Sequence, residues 1–159
     1  MTNKLEKRSS ENWHENRILA AKNGTNPMLM VELKASYAVF GDVQFLPGHC
    51  VLLPKKEVGS LNDLAPLERQ QFLLEMSYLG DAILASVDAM RINYDILGNS
   101  DQYLHAHVFP RYSWEKAERR KMPVWLYAKS HWSDPKTAYQ AVLHGELRQR
   151  ITENLAKFQ

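Results

Sequence analysis

The stretch Gln102-Tyr103-Leu104-His105-Ala106-His107-Val108-Phe109-Pro110-Arg111 places two histidines one residue apart inside a short apolar run. The polar turn Gly98-Asn99-Ser100-Asp101 comes directly before it. Because side chains alternate between the two faces of a β-strand, this stretch predicts a strand with two different faces. One face carries Tyr103, His105, His107 and Phe109. The other carries Leu104, Ala106 and Val108, and its apolar character indicates a face that packs on the core.

The histidine pair has three interpretations. Two histidines on one strand can bind a metal ion, although zinc takes three or four ligands and the other histidines are scattered along the sequence. Alternatively, one imidazole attacks phosphorus as a nucleophile while its neighbour binds phosphate oxygens or moves the proton. In the third interpretation the pair lies on a half-exposed strand and has no role. These residues alone leave all three open.

The composition of the chain limits the classes of protein to consider. A length of 159 residues is typical of one domain, and a net charge of +2 does not indicate a nucleic-acid partner. The single cysteine excludes an internal disulfide. The charged N-terminus is not followed by an apolar signal core, and no apolar run approaches the roughly 20 residues that span a bilayer. We therefore expect a cytoplasmic protein without a membrane partner.

Local patterns predict the order of helices and strands. Ser10 is a suitable cap for a helix from Glu11 to about Lys22. Pro66 suits the first turn of a long helix that runs to about Met90. Along that helix, apolar residues spaced by three or four form one buried face: Phe72, Met76, Leu79, Ile83, Val87 and Met90. Strands are predicted over 28–34, 36–40, 49–53 and 91–96.

The C-terminal third has a different character. Residues 113–133 mix tryptophan and tyrosine with lysine and arginine, a combination that can stack on bases and neutralise phosphates but also occurs on ordinary surface segments. Its length makes it a candidate substrate lid or dimer element. Asp134 with Pro135 predicts the start of a last helix. Its apolar stripe repeats every four residues: Tyr139, Leu143, Leu147, Ile151 and Leu155.

Three segments together resemble the histidine triad (HIT) family. The family signature is His-φ-His-φ-His-φ-φ, where φ is apolar; His105 and His107 match its second and third histidines, and Tyr103 stands in place of the first. Residues 36–55, with the turn Pro47-Gly48-His49, resemble the family's first hairpin. Residues 61–64 and the long helix after them agree in order. The resemblance covers roughly residues 28–112 and is specific because three ordered segments agree.

The resemblance implies an α+β fold, with an antiparallel sheet of about five strands packed by a long helix. We expect a single HIT-like domain over residues 1–159. Its core would lie at about 28–112, and the basic and aromatic extension with the C-terminal helix at 113–159.

The resemblance also implies an activity. His105 would attack the α-phosphate of a nucleotide and form a nucleotidyl-histidine, while His107 would contact the phosphate and the bridging or leaving oxygen. Water would then release a nucleoside monophosphate. The implied substrates are dinucleoside polyphosphates or nucleoside phosphoramidates, and the implied assembly is a homodimer. No cofactor is required, although a divalent cation can accompany a polyphosphate.

Further residues match the family's binding positions. Asn99 and Ser100 correspond to its polar phosphate-binding pair. Asn93 corresponds to an amide residue on the preceding strand, and Asp42 to the ribose-binding residue, although direct alignment places Gly41 there. Three more residues have expected roles near the site. His49 would be a hydrogen-bonded histidine beneath it, Arg111 would lie beside the distal phosphates, and Tyr103 would support His105.

Two other functions remain open at this stage. The chain can be a nucleotide-binding protein without turnover, because Tyr103 replaces the histidine that supports the nucleophile in the family. It can also be a metal-dependent hydrolase that uses His105 and His107 as ligands.

Overall fold

The computed structural model describes residues 12–159. One antiparallel sheet of five strands has the spatial order β1-β2-β3-β5-β4. The strands are β1 (Leu29–Glu32), β2 (Ser36–Phe40), β3 (Cys50–Pro54), β4 (Arg91–Asp95) and β5 (Ala106–Arg111). The helices are α1 (Arg17–Lys22), α2 (Pro66–Leu84), α3 (Ala117–Arg120), α4 (Ser130–Ser133) and α5 (Ala141–Ala156). Single 3₁₀ turns lie at Leu61–Asp63 and Val124–Leu126. This arrangement confirms the predicted α+β fold.

The core lies between the sheet and the two long helices. From α2, Phe72, Leu79 and Ile83 are fully buried, and from α5, Ile151 and Leu155 are fully buried. The predicted core face of the histidine strand meets them, because its side chains are equally buried: Leu104, Ala106 and Val108. The opposite face of β5 is thereby left to carry the histidines. Within the described chain, no helix is both long and apolar enough to cross a membrane.

The N-terminal helix is shorter than predicted. It begins at Arg17, and Asn16 is its cap, because the Asn16 side chain accepts the N–H of Leu19 at 2.9 Å. The predicted cap Ser10 and first residue Glu11 lie outside the described residues.

The prediction that Asp134 starts the last helix is wrong. The chain instead pairs with the segment that follows β2: Tyr139 N–H donates to Asp42 O at 2.8 Å, and Gln44 N–H donates to Thr137 O at 2.6 Å. These long-range bonds hold residues 137–139 extended, so the helix begins only at Ala141. One residue of the predicted stripe, Leu143, is 66% exposed, whereas Leu147 is partly buried and Ile151 and Leu155 are in the core.

Two other boundaries also differ from the prediction. Helix α2 ends at Leu84, and Met90 is 61% exposed beside the start of β4. Strand β5 begins at Ala106, because the preceding backbone leaves the ladder: Leu104 N–H donates to Val58 O at 2.7 Å. His105 therefore lies on the approach to the strand and not within it.

Candidate active site

A cavity of about 490 Å³ opens on the sheet face that carries the histidines. It is lined from α1, β2, β3, the loop before β5 and the C-terminal segment: Arg17, Val39, Phe40, Gly41, Asp42, Val43, His49, Val51, Leu53, Leu97, Gly98, Asn99, Ser100, Asp101, Tyr103, His105, His107, Trp125 and Trp132. All of the predicted site residues line it except Asn93 and Arg111. We call His49, His105 and His107 the pocket floor, and Arg17, Asp42, Trp125 and Trp132 the pocket rim.

The ring of His105 is held by the backbone next to it. Its Nδ1 lies 2.8 Å from Tyr103 O. A carbonyl oxygen can only accept, so Nδ1 carries the proton and Nε2 keeps a lone pair. The Tyr103 ring flanks the imidazole with centroids 4.8 Å apart, and its hydroxyl has no hydrogen-bond partner among residues 12–159. The tautomer of His105 with the proton on Nδ1 is therefore fixed by the main chain and not by the side chain at position 103.

His107 is held by a second histidine. His49 Nδ1 lies 3.1 Å from Val43 O, and its Nε2 lies 3.1 Å from His107 Nδ1. Because Val43 O accepts a hydrogen bond from His49 Nδ1–H, the neutral His49 accepts at Nε2 and His107 donates from Nδ1. His107, which lines the cavity, therefore keeps a lone pair on Nε2.

Burial keeps both of these histidines neutral. It lowers the pKa of His49 to about 4, against smaller opposing effects of the Val43 carbonyl and the Asp42 carboxylate. The pKa of His107 is lowered to about 2 by burial first, and then by His49, His105 and the charge of Arg17. A neutral pair suits a hydrogen-bond chain near pH 7, since neither ring repels the other.

Gly41 is required by the approach of His49. A Cβ at position 41 would lie 2.5 Å from His49 Nδ1 and 2.8 Å from His49 O. No side chain can therefore replace Gly41 unless His49 moves. The acidic residue of the rim is the next residue, Asp42. Its carboxylate accepts from Arg17 Nη2 at 2.7 Å.

The loop before β5 supplies polar groups. Gly98 has a φ of 71°, a left-handed conformation that glycine adopts without strain, and it turns the chain toward the cavity. The exposed side chains of Asn99 and Ser100 line the cavity and form no hydrogen bond to other described residues. Both are available to a ligand.

Two indoles close the opposite side. Trp125 and Trp132 stack with centroids 4.8 Å apart at 12°, and the rings of Trp125 and His107 lie nearly perpendicular with centroids 4.8 Å apart. Phe45 meets Trp132 from behind at 4.8 Å. This rim presents aromatic surface next to the inner histidine of the floor.

The HIT domain family model matches residues 25–114, more than half of the chain, and those residues include the floor and the loop before β5. The chain belongs to the HIT family. Solved HIT structures share its fold. A histidine triad protein of Sinorhizobium meliloti is 22% identical with a TM-score of 0.68, over 80% of this chain and 88% of that one.

Two further solved structures with the same fold carry functional descriptions of their own. A hypothetical histidine triad nucleotide-binding protein of Sulfolobus tokodaii is 14% identical, with a TM-score of 0.67 over 89% of this chain and 92% of that one. The diadenosine triphosphate hydrolase of Plasmodium falciparum is 17% identical, with a TM-score of 0.58 over 83% of this chain and 79% of that one. At such identities the likeness is one of fold. No curated protein sequence matches the chain significantly.

Arg111 does not lie in the pocket of this HIT protein, contrary to the prediction that it meets distal phosphates. Its side chain is 5% exposed and forms a buried ion pair with Glu115, Nη2 to Oε1 at 3.0 Å. Its Nη1 donates to Asn93 Oδ1 and to Met122 O, each at 2.7 Å. Arg111 and Asn93 therefore anchor the C-terminal segment to the sheet, and Asn93 is likewise not placed to bind a ligand in the cavity.

Sequence reasoning missed Arg17, which lines the cavity from α1, and did not single out Trp125 and Trp132 among the aromatics of the C-terminal segment. Glu115, four residues after Arg111, is the internal partner of this arginine, but Arg111 ends a strand and this spacing predicts a contact only on a helix. No local pattern indicates the position of Arg17 either. Among residues 12–159, no group of three histidine, cysteine, aspartate or glutamate side chains is placed to hold a metal ion.

Proposed function

We propose that this HIT protein cleaves its substrate at an α-phosphate through a nucleotidyl-histidine on His105. The proposed substrates are dinucleoside polyphosphates or nucleoside phosphoramidates. The observation that carries the proposal is the bond of His105 Nδ1 to Tyr103 O, which leaves the Nε2 lone pair for attack in a cavity with a second neutral imidazole.

The proposed reaction has two displacements at phosphorus. His105 Nε2 forms a bond to phosphorus while the bond to the leaving oxygen or nitrogen breaks. The exposed loop residues Asn99 and Ser100 would bind the phosphate oxygens. Water then attacks the same phosphorus, the bond to His105 breaks, and a nucleoside monophosphate leaves with His105 restored.

His107 would manage the proton. In the free protein its Nε2 holds a lone pair, so contact with an anionic phosphate requires proton uptake at this nitrogen when substrate binds. The protonated ring then donates to the leaving group. The resulting neutral imidazole accepts a proton from the attacking water. His49 acts as a positioning residue, because its bond to Nδ1 orients the ring throughout.

The alternative function is nucleotide binding without turnover. It is favoured by Tyr103, which stands where the family signature has a histidine. The backbone bond to His105 argues against it, since the side chain at position 103 does not provide that bond. A metal-dependent hydrolase has less support, because the described residues offer the floor no set of ligands for an ion. Turnover of a phosphoramidate that persists in EDTA would agree with chemistry carried by the histidines.

The decisive assay compares wild type with His105→Asn. Release of nucleoside monophosphate would be followed from diadenosine tetraphosphate and from an adenosine phosphoramidate. We expect turnover by the wild type, and a rate at least about 10³-fold lower for the variant with nucleotide binding retained. A matched control is His144→Asn, which changes a histidine outside the cavity. If wild type binds these compounds without releasing product, the binding function replaces the enzymatic one.

We also propose a homodimer that forms through the edge of the sheet at strand β4. Strand β4 is the last in the sheet order, and exposed apolar side chains flank or belong to it: Met90, Tyr94 and Leu97. An uncovered edge strand is a surface for strand pairing. Light scattering during size-exclusion chromatography should give twice the mass of the chain. A monomeric mass at micromolar concentration would contradict this assembly.

A further inference from the structure

Among residues 12–159, one lysine or arginine lines the pocket, and that residue is Arg17. Two carboxylates, Asp42 and Asp101, line the same cavity. His49 and His107 are neutral at pH 7, because the pKa of each is well below that value. A phosphate that enters this cavity is therefore repelled by two carboxylates. Of the side chains that line the cavity, Arg17 is the one whose positive charge can offset this repulsion.

The guanidinium of Arg17 is held in position by neighbouring side chains, but most of its N–H donors are not used in hydrogen bonds to described residues. An arginine has five N–H donors. Within residues 12–159 those of Arg17 make a single hydrogen bond, from Nη2 to Asp42 Oδ2 at 2.7 Å. Trp13 supports the group from the side, with its ring centroid 4.9 Å from Cζ. The side chain is 28% exposed, so the remaining donors can reach a ligand.

Arg111 shows what a structural arginine looks like in the same protein. Its Nε, Nη1 and Nη2 all donate to protein oxygens, and the side chain is 5% exposed. It has no capacity left for a substrate. Arg17 differs in both respects, and the contrast indicates a guanidinium whose partners come from outside the chain.

Arg17 also acts electrostatically on the floor. Its charge is among the causes that lower the pKa of His107, after burial and the two neighbouring histidines. The same charge opposes the burial that raises the pKa of Tyr103. The guanidinium thus lies within electrostatic reach of the reacting region.

We propose that Arg17 is the phosphate-binding cation of this pocket, and that Asp42 is the positioning residue that orients it. The open N–H donors of Arg17 would bind non-bridging oxygens of the nucleotide phosphate held by Asn99 and Ser100. Charge-assisted bonds from a guanidinium to phosphate are among the strongest hydrogen bonds available to a protein. This inference rests on the proposed nucleotide function and assigns the source of its phosphate affinity.

The test compares a ligand that carries a phosphate with one that lacks it. Binding of AMP and of adenosine would be measured by calorimetry for wild type, Arg17→Gln, Arg17→Lys and Asp42→Asn. We expect Arg17→Gln to weaken AMP binding by about 10- to 100-fold, a loss typical of one charged hydrogen-bonded contact, with adenosine binding changed less than about twofold. Arg17→Lys should recover part of the AMP affinity, because it restores the charge without the planar fork.

The control Arg150→Gln removes an exposed arginine of α5 outside the cavity and should leave both affinities unchanged. An equal loss of AMP and adenosine binding in Arg17→Gln and in Asp42→Asn would overturn the proposal, because Arg17 would then serve only to hold Asp42 against the ribose. Unchanged AMP binding in Arg17→Gln would overturn it as well. A wild type that binds neither ligand would overturn the nucleotide function together with this inference.

Discussion

The pocket floor is held by hydrogen bonds that its rings make with the main chain and with each other, whereas the pocket rim is held by an ion pair and by aromatic stacking between side chains. His105 and His49 each bind a backbone oxygen, at 2.8 and 3.1 Å. In the rim, Arg17 binds Asp42, and Trp125 stacks on Trp132. The hydrogen bonds of the floor determine the tautomers of its histidines. The side chains of the rim determine which ligands the cavity can bind. We therefore expect floor substitutions to lower kcat and rim substitutions to raise KM.

The largest effect within this comparison is expected for His107→Asn. The variant removes the group that moves the proton to the leaving group and from the attacking water, so kcat should fall by about 10²- to 10³-fold. KM should change far less, because Asn99, Ser100 and the rim are untouched. Steady-state kinetics with diadenosine tetraphosphate would measure both constants. A variant with normal kcat and raised KM would make His107 a binding residue and would remove the distinction between floor and rim.

The second prediction concerns the stability of the floor in acid. In the unfolded chain a histidine binds a proton near pH 6.5, whereas folding lowers the pKa of His49 to about 4 and of His107 to about 2. Between pH 6.5 and 4 the unfolded state therefore binds more protons than the folded state. The free energy of unfolding should fall with falling pH, by about 1 to 2 kcal/mol per pH unit for each histidine. Above pH 6.5 this contribution is constant.

Urea unfolding at several pH values would measure this dependence. Carboxylates also contribute to the slope, so the informative quantity is the difference between wild type and His107→Asn. Between pH 6 and 4.5, the free energy of unfolding should depend less steeply on pH in the variant than in the wild type, by the amount due to one proton. The reason is that the lowered pKa of His107 lies below that window. Equal slopes for the two proteins would show that His107 titrates normally when folded.

The third prediction concerns the aromatic rim. Trp125→Ala removes stacking surface beside His107, and KM for a dinucleoside substrate should rise by about tenfold, since stacking on an aromatic side chain contributes about 1–3 kcal/mol. The change in kcat should be within about threefold. Trp114→Ala is the matched control, because Trp114 is 61% exposed and stacks on Tyr112 outside the cavity. A loss of kcat without a change in KM would show that Trp125 acts on the chemical step, as the floor residues are expected to do, and not on substrate binding.

The smallest effect is expected for Tyr103→Phe. The hydroxyl has no partner within the described part of the chain, and the bond to His105 comes from the carbonyl of residue 103. The value of kcat/KM should change by less than about threefold. A loss greater than tenfold would show that the Tyr103 hydroxyl does the work that the family's first histidine does.

The floor could be predicted from the sequence because the information is local. The alternating pattern placed Tyr103, His105, His107 and Phe109 on one face, and their rings do follow one another at 4.8, 5.1 and 5.5 Å. The core face of the same strand is buried as expected. The turn Pro47-Gly48-His49 placed the third histidine through its resemblance to the family hairpin, without revealing that His49 binds His107 directly.

The rim could not be predicted in the same way, because it depends on tertiary contacts. Arg17 reaches the cavity from a helix whose start was placed too early, and its partner Asp42 lies 25 residues further along the chain. The extended segment 137–139 displaces a helix start that Asp134 and Pro135 favour locally. Arg111 was predicted to lie beside the distal phosphates, but its side chain is held inside the protein by Glu115 and Asn93.

The central claim is a covalent intermediate on His105, and rapid-quench mass spectrometry tests it most directly. Wild type and His107→Asn would be mixed with diadenosine tetraphosphate, quenched in alkali, which preserves a phosphorus–nitrogen bond, and digested. We predict one adenylyl group on His105, formed before product, and an adduct on the same residue in His107→Asn that persists for longer because its hydrolysis is slower. Product released with no adduct on His105, or an adduct on another residue, would contradict the account.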